Sequence, residues 1–123
     1  MSETMTVQSI SAITLAVREM PRSVDFYQGK VGLTMLYGGP DADFTSFQVG
    51  PGYLNLILTP NREMGWWGRV ILHVDDVDAL HRRLLESGVE PATTPQDAPW
   101  RERYFHVIDP DGHELSFAKP LAE

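Results

Sequence analysis

The sequence predicts an α+β protein built from two βαβββ modules. Three observations carry that prediction: strand-type alternation, a repeat of the whole pattern at a near-constant offset, and a last hairpin whose polarity sorts well with one loop length. Alternation starts at Ile13, Leu15 and Val17, with Ala12, Thr14 and Ala16 on the other face, the mark of a half-buried strand. Pro21 opens a helical segment, Val24, Tyr27 and Val31 fall on one stripe, and Gly32 can end it. Strand-like runs follow at Met35–Tyr37 and Phe44–Val49. Gly50-Pro51-Gly52 then turns the chain into Tyr53–Thr59, where Leu54, Leu56 and Leu58 alternate with Asn55 and Ile57.

The pattern then starts again. Val70, Leu72 and Val74 alternate with Arg69, Ile71 and His73. Asp76 suits a helix N-cap, and Val77, Leu80 and Leu84 form an apolar stripe that ends at Gly88. Extended pieces are expected at Pro91–Thr94, Tyr104–Ile108 and Glu114–Ala118. Val17 maps onto Val74, 57 positions later, and Gly32 onto Gly88, 56 positions later. The expected organisation is a flexible tail at 1–9, a first module at 10–59, a linker at 60–68 and a second module at 69–121.

Composition limits the function classes. The chain has 123 residues, with 10 basic and 17 acidic side chains and a net charge of −7. With no basic run, it is a poor match for nucleic acid or an anionic membrane surface. It contains no cysteine, so a disulfide framework, a thiolate metal site and a cysteine nucleophile are all excluded. No apolar stretch is long enough to span a bilayer, and Met1–Ser9 lacks a basic segment followed by an apolar one. The expectation is a soluble, cytoplasmic protein.

Each helix covers one face of its sheet, so the other face must be covered or line a cavity. Parity puts Ala12, Thr14 and Ala16 on that face, with Phe44, Ser46 and Gln48, then Tyr53, Asn55 and Ile57, then Arg69, Ile71 and His73. The last hairpin depends on its loop. A five-residue loop, Asp109 to His113, pairs His106 with Ser116 and sends Phe105, Val107, Leu115 and Phe117 to the helix side. It leaves Tyr104, His106, Glu114 and Ser116 on the cavity side. Small residues leave volume, and a few polar groups converging in an apolar cleft suit a ligand pocket.

Val17, Phe26-Tyr27, Gly32-Leu33, Val74-Asp75-Asp76-Val77 and Asp109-Pro110-Asp111-Gly112, in that order, resemble the vicinal oxygen chelate superfamily. Its members include glyoxalase I, extradiol dioxygenases, and fosfomycin- and bleomycin-resistance proteins. The resemblance runs from about Ile10 to Leu121. It implies a curved, partly open mixed sheet around a cavity, helices on the outside, and a homodimer. Metal enzymes of the superfamily use His or Glu at positions that map here to Ala12, Asn55, Arg69 and Ser116. None of these is a good ligand for Zn²⁺, Ni²⁺ or Fe²⁺, so no metal and no other cofactor is expected.

The expected function is metal-free binding of a small organic molecule, such as an antibiotic or aromatic metabolite, through Gln48, Asn55, Arg69, Trp100, Tyr104, His106 and Ser116. Arg69 offers its guanidinium either to a ligand oxygen or to Glu114. Trp100, between Pro99 and Arg101, suits a rim that stacks on ligand, whereas Trp66 and Trp67 suit the module or dimer junction. His73 and His113 carry little weight, and His81 is expected on the wet face of its helix. The alternative is an enzyme, lyase-, isomerase- or dioxygenase-like. It would use His106 as base with Arg69 stabilising negative charge, or an atypical metal site at His106 and Glu114.

Overall fold

The computed structural model describes residues 6–63 and 65–122. Residues 1–5 of the expected tail and Met64 of the expected linker lie outside the described residues. Strand β1 (Ala12–Val17) leads into helix α1 (Met20–Val24), which continues as a π-helical segment, Asp25–Val31. Strands β2 (Thr34–Tyr37), β3 (Phe44–Val49) and β4 (Gly52–Leu58) follow. The second module repeats the order with β5 (Arg69–His73), helix α2 (Val77–Glu86), β6 (Gln96–Asp97), β7 (Glu102–Ile108) and β8 (Glu114–Pro120).

Each module is a four-stranded mixed sheet, ordered β1-β4-β3-β2 and β5-β8-β7-β6. The first and last strands of each module are parallel, and the other pairs are antiparallel. The sheet is open: β1 and β5 share no hydrogen-bond ladder, and apolar residues from both strands, Ile13 with Val70 and Leu72, line a groove between them.

Local chemistry explains the helices. Pro21 sits in the first turn of α1, where its missing N–H costs nothing. The π-helical turn was not legible in the 24, 27, 31 stripe. Its wider winding turns two successive side chains inward, so Phe26 and Tyr27 are both buried and meet edge to face at 4.9 Å. Gly32 ends it with φ of 92°, in the left-handed region. Asp76 caps α2 as expected, its Oδ1 accepting from the Ala79 N–H at 3.0 Å.

The expected strand parity holds. Leu15, Val17, Phe47, Leu54, Leu56, Val70, Phe105, Val107, Leu115 and Phe117 are buried beneath the helices. Tyr53, Ile57 and Ile71 are exposed on the opposite face. The five-residue loop is also correct, with His106 opposite Ser116 and Ile108 opposite Glu114. The short strand, by contrast, lies at Gln96–Asp97 rather than at the expected Pro91–Thr94. Ala92 and Thr93 both aim their N–H groups at the His106 carbonyl, which an extended ladder does not allow.

The modules are clasped by the Asp109-Pro110-Asp111-Gly112 turn, which does far more than reverse the chain. Asp111 is 1% exposed, and its Oδ1 accepts from the Arg18 backbone N–H (2.9 Å), Arg18 Nε (3.1 Å) and Arg22 Nη2 (3.2 Å). Its Oδ2 accepts from the Ser23 hydroxyl at 3.0 Å. Burial pushes the Asp111 carboxyl up, but the bonds from Arg18 and Ser23 and the Arg22 charge outweigh that and hold it below its ordinary value. Asp109 accepts from the Tyr27 hydroxyl, and burial followed by this carboxylate pushes the phenol well above its usual range. His113, expected to matter little, is 2% exposed: one ring nitrogen bonds the Ala16 carbonyl (2.7 Å) and the other accepts from the Trp67 indole N–H (2.7 Å). His81 is not on a wet face either, since its ring meets Phe105 edge-on at 5.1 Å. Helix α2 packs against the π-helical segment, joining the two modules. Among the described residues, no helix is long and apolar enough to cross a membrane.

Candidate ligand-binding face

The open face of the second module is a trough running along β8. Ser116 and Ala118 form its floor, and both are small and buried. Register puts Ile71 and His73 of β5 on one side, opposite Ser116 and Ala118. His106 and Tyr104 of β7 stand on the other side, opposite the same two residues. Three rings form that wall: Tyr104 lies 5.5 Å from Trp100 and 5.1 Å from His106, centroid to centroid.

A carboxylate closes each end of the trough, and each holds an indole together with a basic side chain. At one end Glu114 Oε2 accepts from Trp66 Nε1 (2.9 Å), Arg69 Nε (3.0 Å) and Arg69 Nη2 (3.0 Å). The Trp66 bond leads in holding the Glu114 carboxyl below its ordinary value, with Arg69 adding to it against the opposing effect of burial. At the other end Glu102 accepts from Trp100 Nε1 at 3.0 Å and pairs with His73 Nε2 at 2.9 Å. Both indoles are tethered while their faces stay in solvent, Trp66 73% and Trp100 62% exposed.

Arg69 therefore spends two of its three nitrogens on Glu114, the alternative its strand position had left open. His106 is held below the ordinary histidine range by burial first and the Arg69 charge second, with Glu114 opposing. Its Nδ1 is buried without a protein partner. On the first module, Asn55 donates to the Thr14 hydroxyl at 3.3 Å, while its Oδ1 is buried and unpartnered. Asn55 lines a recess of about 320 Å³ with Ser46, Tyr53, Leu36 and Tyr37.

The structure thus gathers Arg69, Trp100, Tyr104, His106 and Ser116 on one face and Asn55 on the other module's. Gln48 shares the Asn55 face by register, opposite Tyr53, with its amide nitrogen donating to the Gly50 and Gly52 carbonyls of the β3–β4 turn at 2.6 and 3.2 Å. Sequence reasoning missed Glu102 and undervalued His73. The available signal was parity, since Glu102 sits two residues before Tyr104 on the same side of β7.

The four positions that the family resemblance assigns to a metal do not suit one. Ala12 has no donor atom, Ser116 offers only a hydroxyl, Asn55 an amide, and Arg69 is a cation bound to Glu114. Among the described residues, no three His, Cys, Asp or Glu side chains cluster as a ligand set.

Fold and face together define a paired-βαβββ protein whose open sheet surfaces carry aromatic and polar side chains in place of metal ligands. The model of the Glyoxalase/Bleomycin resistance protein/Dioxygenase superfamily matches residues 9–117, and the chain belongs to that superfamily. A bleomycin resistance protein from Geobacillus stearothermophilus is 26% identical over 135 aligned positions, covering 94% of this chain and 98% of that protein. An uncharacterized Mycobacterium bovis protein is 38% identical over 66 residues, 54% of this chain, and the match spans only 43% of that relative's length. A crystal structure of a glyoxalase family protein from Bacillus anthracis superposes with a TM-score of 0.81 at 17% identity, covering 96% of this chain and 99% of that one, and shares the fold.

Proposed function

We propose that this protein binds a small, planar organic molecule on its open sheet faces without a metal, as a cytoplasmic homodimer. One observation carries the reading. Among the described residues, the buried side-chain polar atoms without a partner are Asn55 Oδ1 and His106 Nδ1, one on each open face. A domain holds a polar side chain in such a position at a cost, which marks Asn55 and His106 as side chains kept on the open faces for contact with a ligand. The tethered indoles of Trp66 and Trp100 add large flat contact area at low entropic cost. The likeness to a bleomycin resistance protein along nearly the whole chain makes aromatic antibiotics the first ligand class to test.

Dimerisation follows from what is left uncovered. Tyr37, Tyr53, Ile57, Ile71, Trp66 and Trp100 are each 40% or more exposed in the single chain. Apolar surface of that extent on one side of a small protein calls for a partner. A second copy laying its first module over this second module would cover both faces and enclose the ligand between them.

Titration with a panel of aromatic antibiotics, followed by tryptophan emission and thermal shift, tests the proposal. Saturable quenching that weakens in Trp100→Phe is expected. No quenching and no thermal shift with any compound would refute it.

A further inference from the structure

Building on that binding role, we infer that the second-module trough selects a planar aromatic ligand bearing an uncharged carbonyl, and that His106 meets the carbonyl oxygen as a hydrogen-bond donor. The two ring nitrogens of His106 sit in unlike surroundings. Nδ1 is buried and unpartnered, whereas Nε2 forms no bond within the protein and is the nitrogen that reaches the surface. A neutral imidazole carries one proton. On Nδ1 that proton would be a buried donor with no acceptor; on Nε2 it leaves only a lone pair unsatisfied inside, which proteins tolerate better. Hydrogen bonding therefore assigns the proton to Nε2, and the trough is offered an N–H. Burial and the Arg69 charge keep the ring neutral at neutral pH, consistent with that assignment. The same tautomer removes His106 as a general base, because its one free lone pair lies on the buried nitrogen.

Fixed charge then decides which acceptor fits. The Arg69 guanidinium is neutralised by Glu114, and Glu102 at the far end adds a second carboxylate beside a histidine. A ligand carboxylate would meet two anionic groups and one already paired cation. An amide or ketone oxygen meets the His106 donor without that repulsion. Shape gives the remainder: Ser116 and Ala118 are covered and the His73–Glu102 bridge crosses β8 at one end, so the surface offered to a flat ligand is the ring wall of Trp100, Tyr104 and His106.

The test uses 2-naphthamide, 2-naphthoate and 2-methylnaphthalene, with affinities from ligand-observed NMR. Imidazole ¹⁵N shifts of the unmutated protein report the tautomer independently of any variant. The amide is expected to bind about 2- to 10-fold tighter than either other probe, the range of one neutral hydrogen bond. His106→Phe is expected to erase the amide's advantage over 2-methylnaphthalene, read as the ratio of the two affinities within the same variant. An Nδ1-protonated ring, equal or tighter binding of 2-naphthoate, or an amide preference that survives His106→Phe would overturn the inference and leave the binding role standing. Failure of all three probes to bind would instead overturn the binding role, and the inference with it.

Discussion

Replacing Asp111 by Ala tests the clasp that holds the two modules in register. The substitution removes four hydrogen bonds that a 1%-exposed carboxylate accepts from Arg18, Arg22 and Ser23. Arg18 and Arg22 side chains are 31% and 39% exposed and can turn to water, so their loss is worth well under the ~3–5 kcal/mol of a fully buried pair. The Ser23 hydroxyl is fully buried and the Arg18 backbone N–H loses this acceptor; each costs about 1–3 kcal/mol. The expected loss is about 3 kcal/mol. Asp111→Asn keeps an acceptor for the Arg18 N–H and an amide that can face Ser23, and should cost about 1 kcal/mol. Urea unfolding at fixed protein concentration measures both, and with a slope near 1.5 kcal/mol per molar the Ala midpoint falls by roughly 2 M. Because the folded carboxyl is held below its unfolded value, its contribution is complete above about pH 4 and fades as pH falls through the lower folded value. The gap between wild type and Asp111→Asn should therefore narrow in acid. An Ala variant within about 0.5 kcal/mol of wild type, or a gap that widens in acid, would refute the reasoning.

Three further outcomes follow. Gly38→Ala drives a Cβ into the Phe44 carbonyl oxygen at a φ of +100°, and backbone strain alone should cost about 1–3 kcal/mol in thermal or urea unfolding. Trp67→Phe keeps a ring but deprives buried His113 of its indole donor, and should cost about 1 kcal/mol; an unchanged melting temperature would deny that bond any weight. Ile71→Lys puts a charge on the exposed trough wall, so sedimentation velocity should show a dimer turning into a folded monomer, whereas an unchanged dimer would place the interface elsewhere.

Most of the architecture was legible because burial on one sheet face imposes a period of two, and a wrong register would put polar side chains in the core. The same period puts Phe105, Val107, Leu115 and Phe117 inside and requires the five-residue loop. The π-helical turn left no trace, because an apolar stripe spaced for an α-helix runs through it. The Pro91–Thr94 strand failed for a related reason: the extended character of that segment does not reveal that two N–H groups converge on one carbonyl. At the candidate site, parity supplied the face but not the pairing along it. Nothing in the sequence chose between a ligand and Glu114 for Arg69, because both sit at a strand start and only the β5–β8 register makes them neighbours. The same holds for Gln48: parity gives its face, but not that a turn two residues away engages its amide nitrogen.

The most direct check on the account is a ligand titration of chelator-stripped protein, followed by tryptophan emission and repeated with added Zn²⁺ or Ni²⁺. If Ala12, Asn55, Arg69 and Ser116 hold no ion, an aromatic ligand will saturate the stripped protein with an affinity that the metals leave unchanged. Binding that vanishes on stripping and returns with a stoichiometric divalent ion would contradict it.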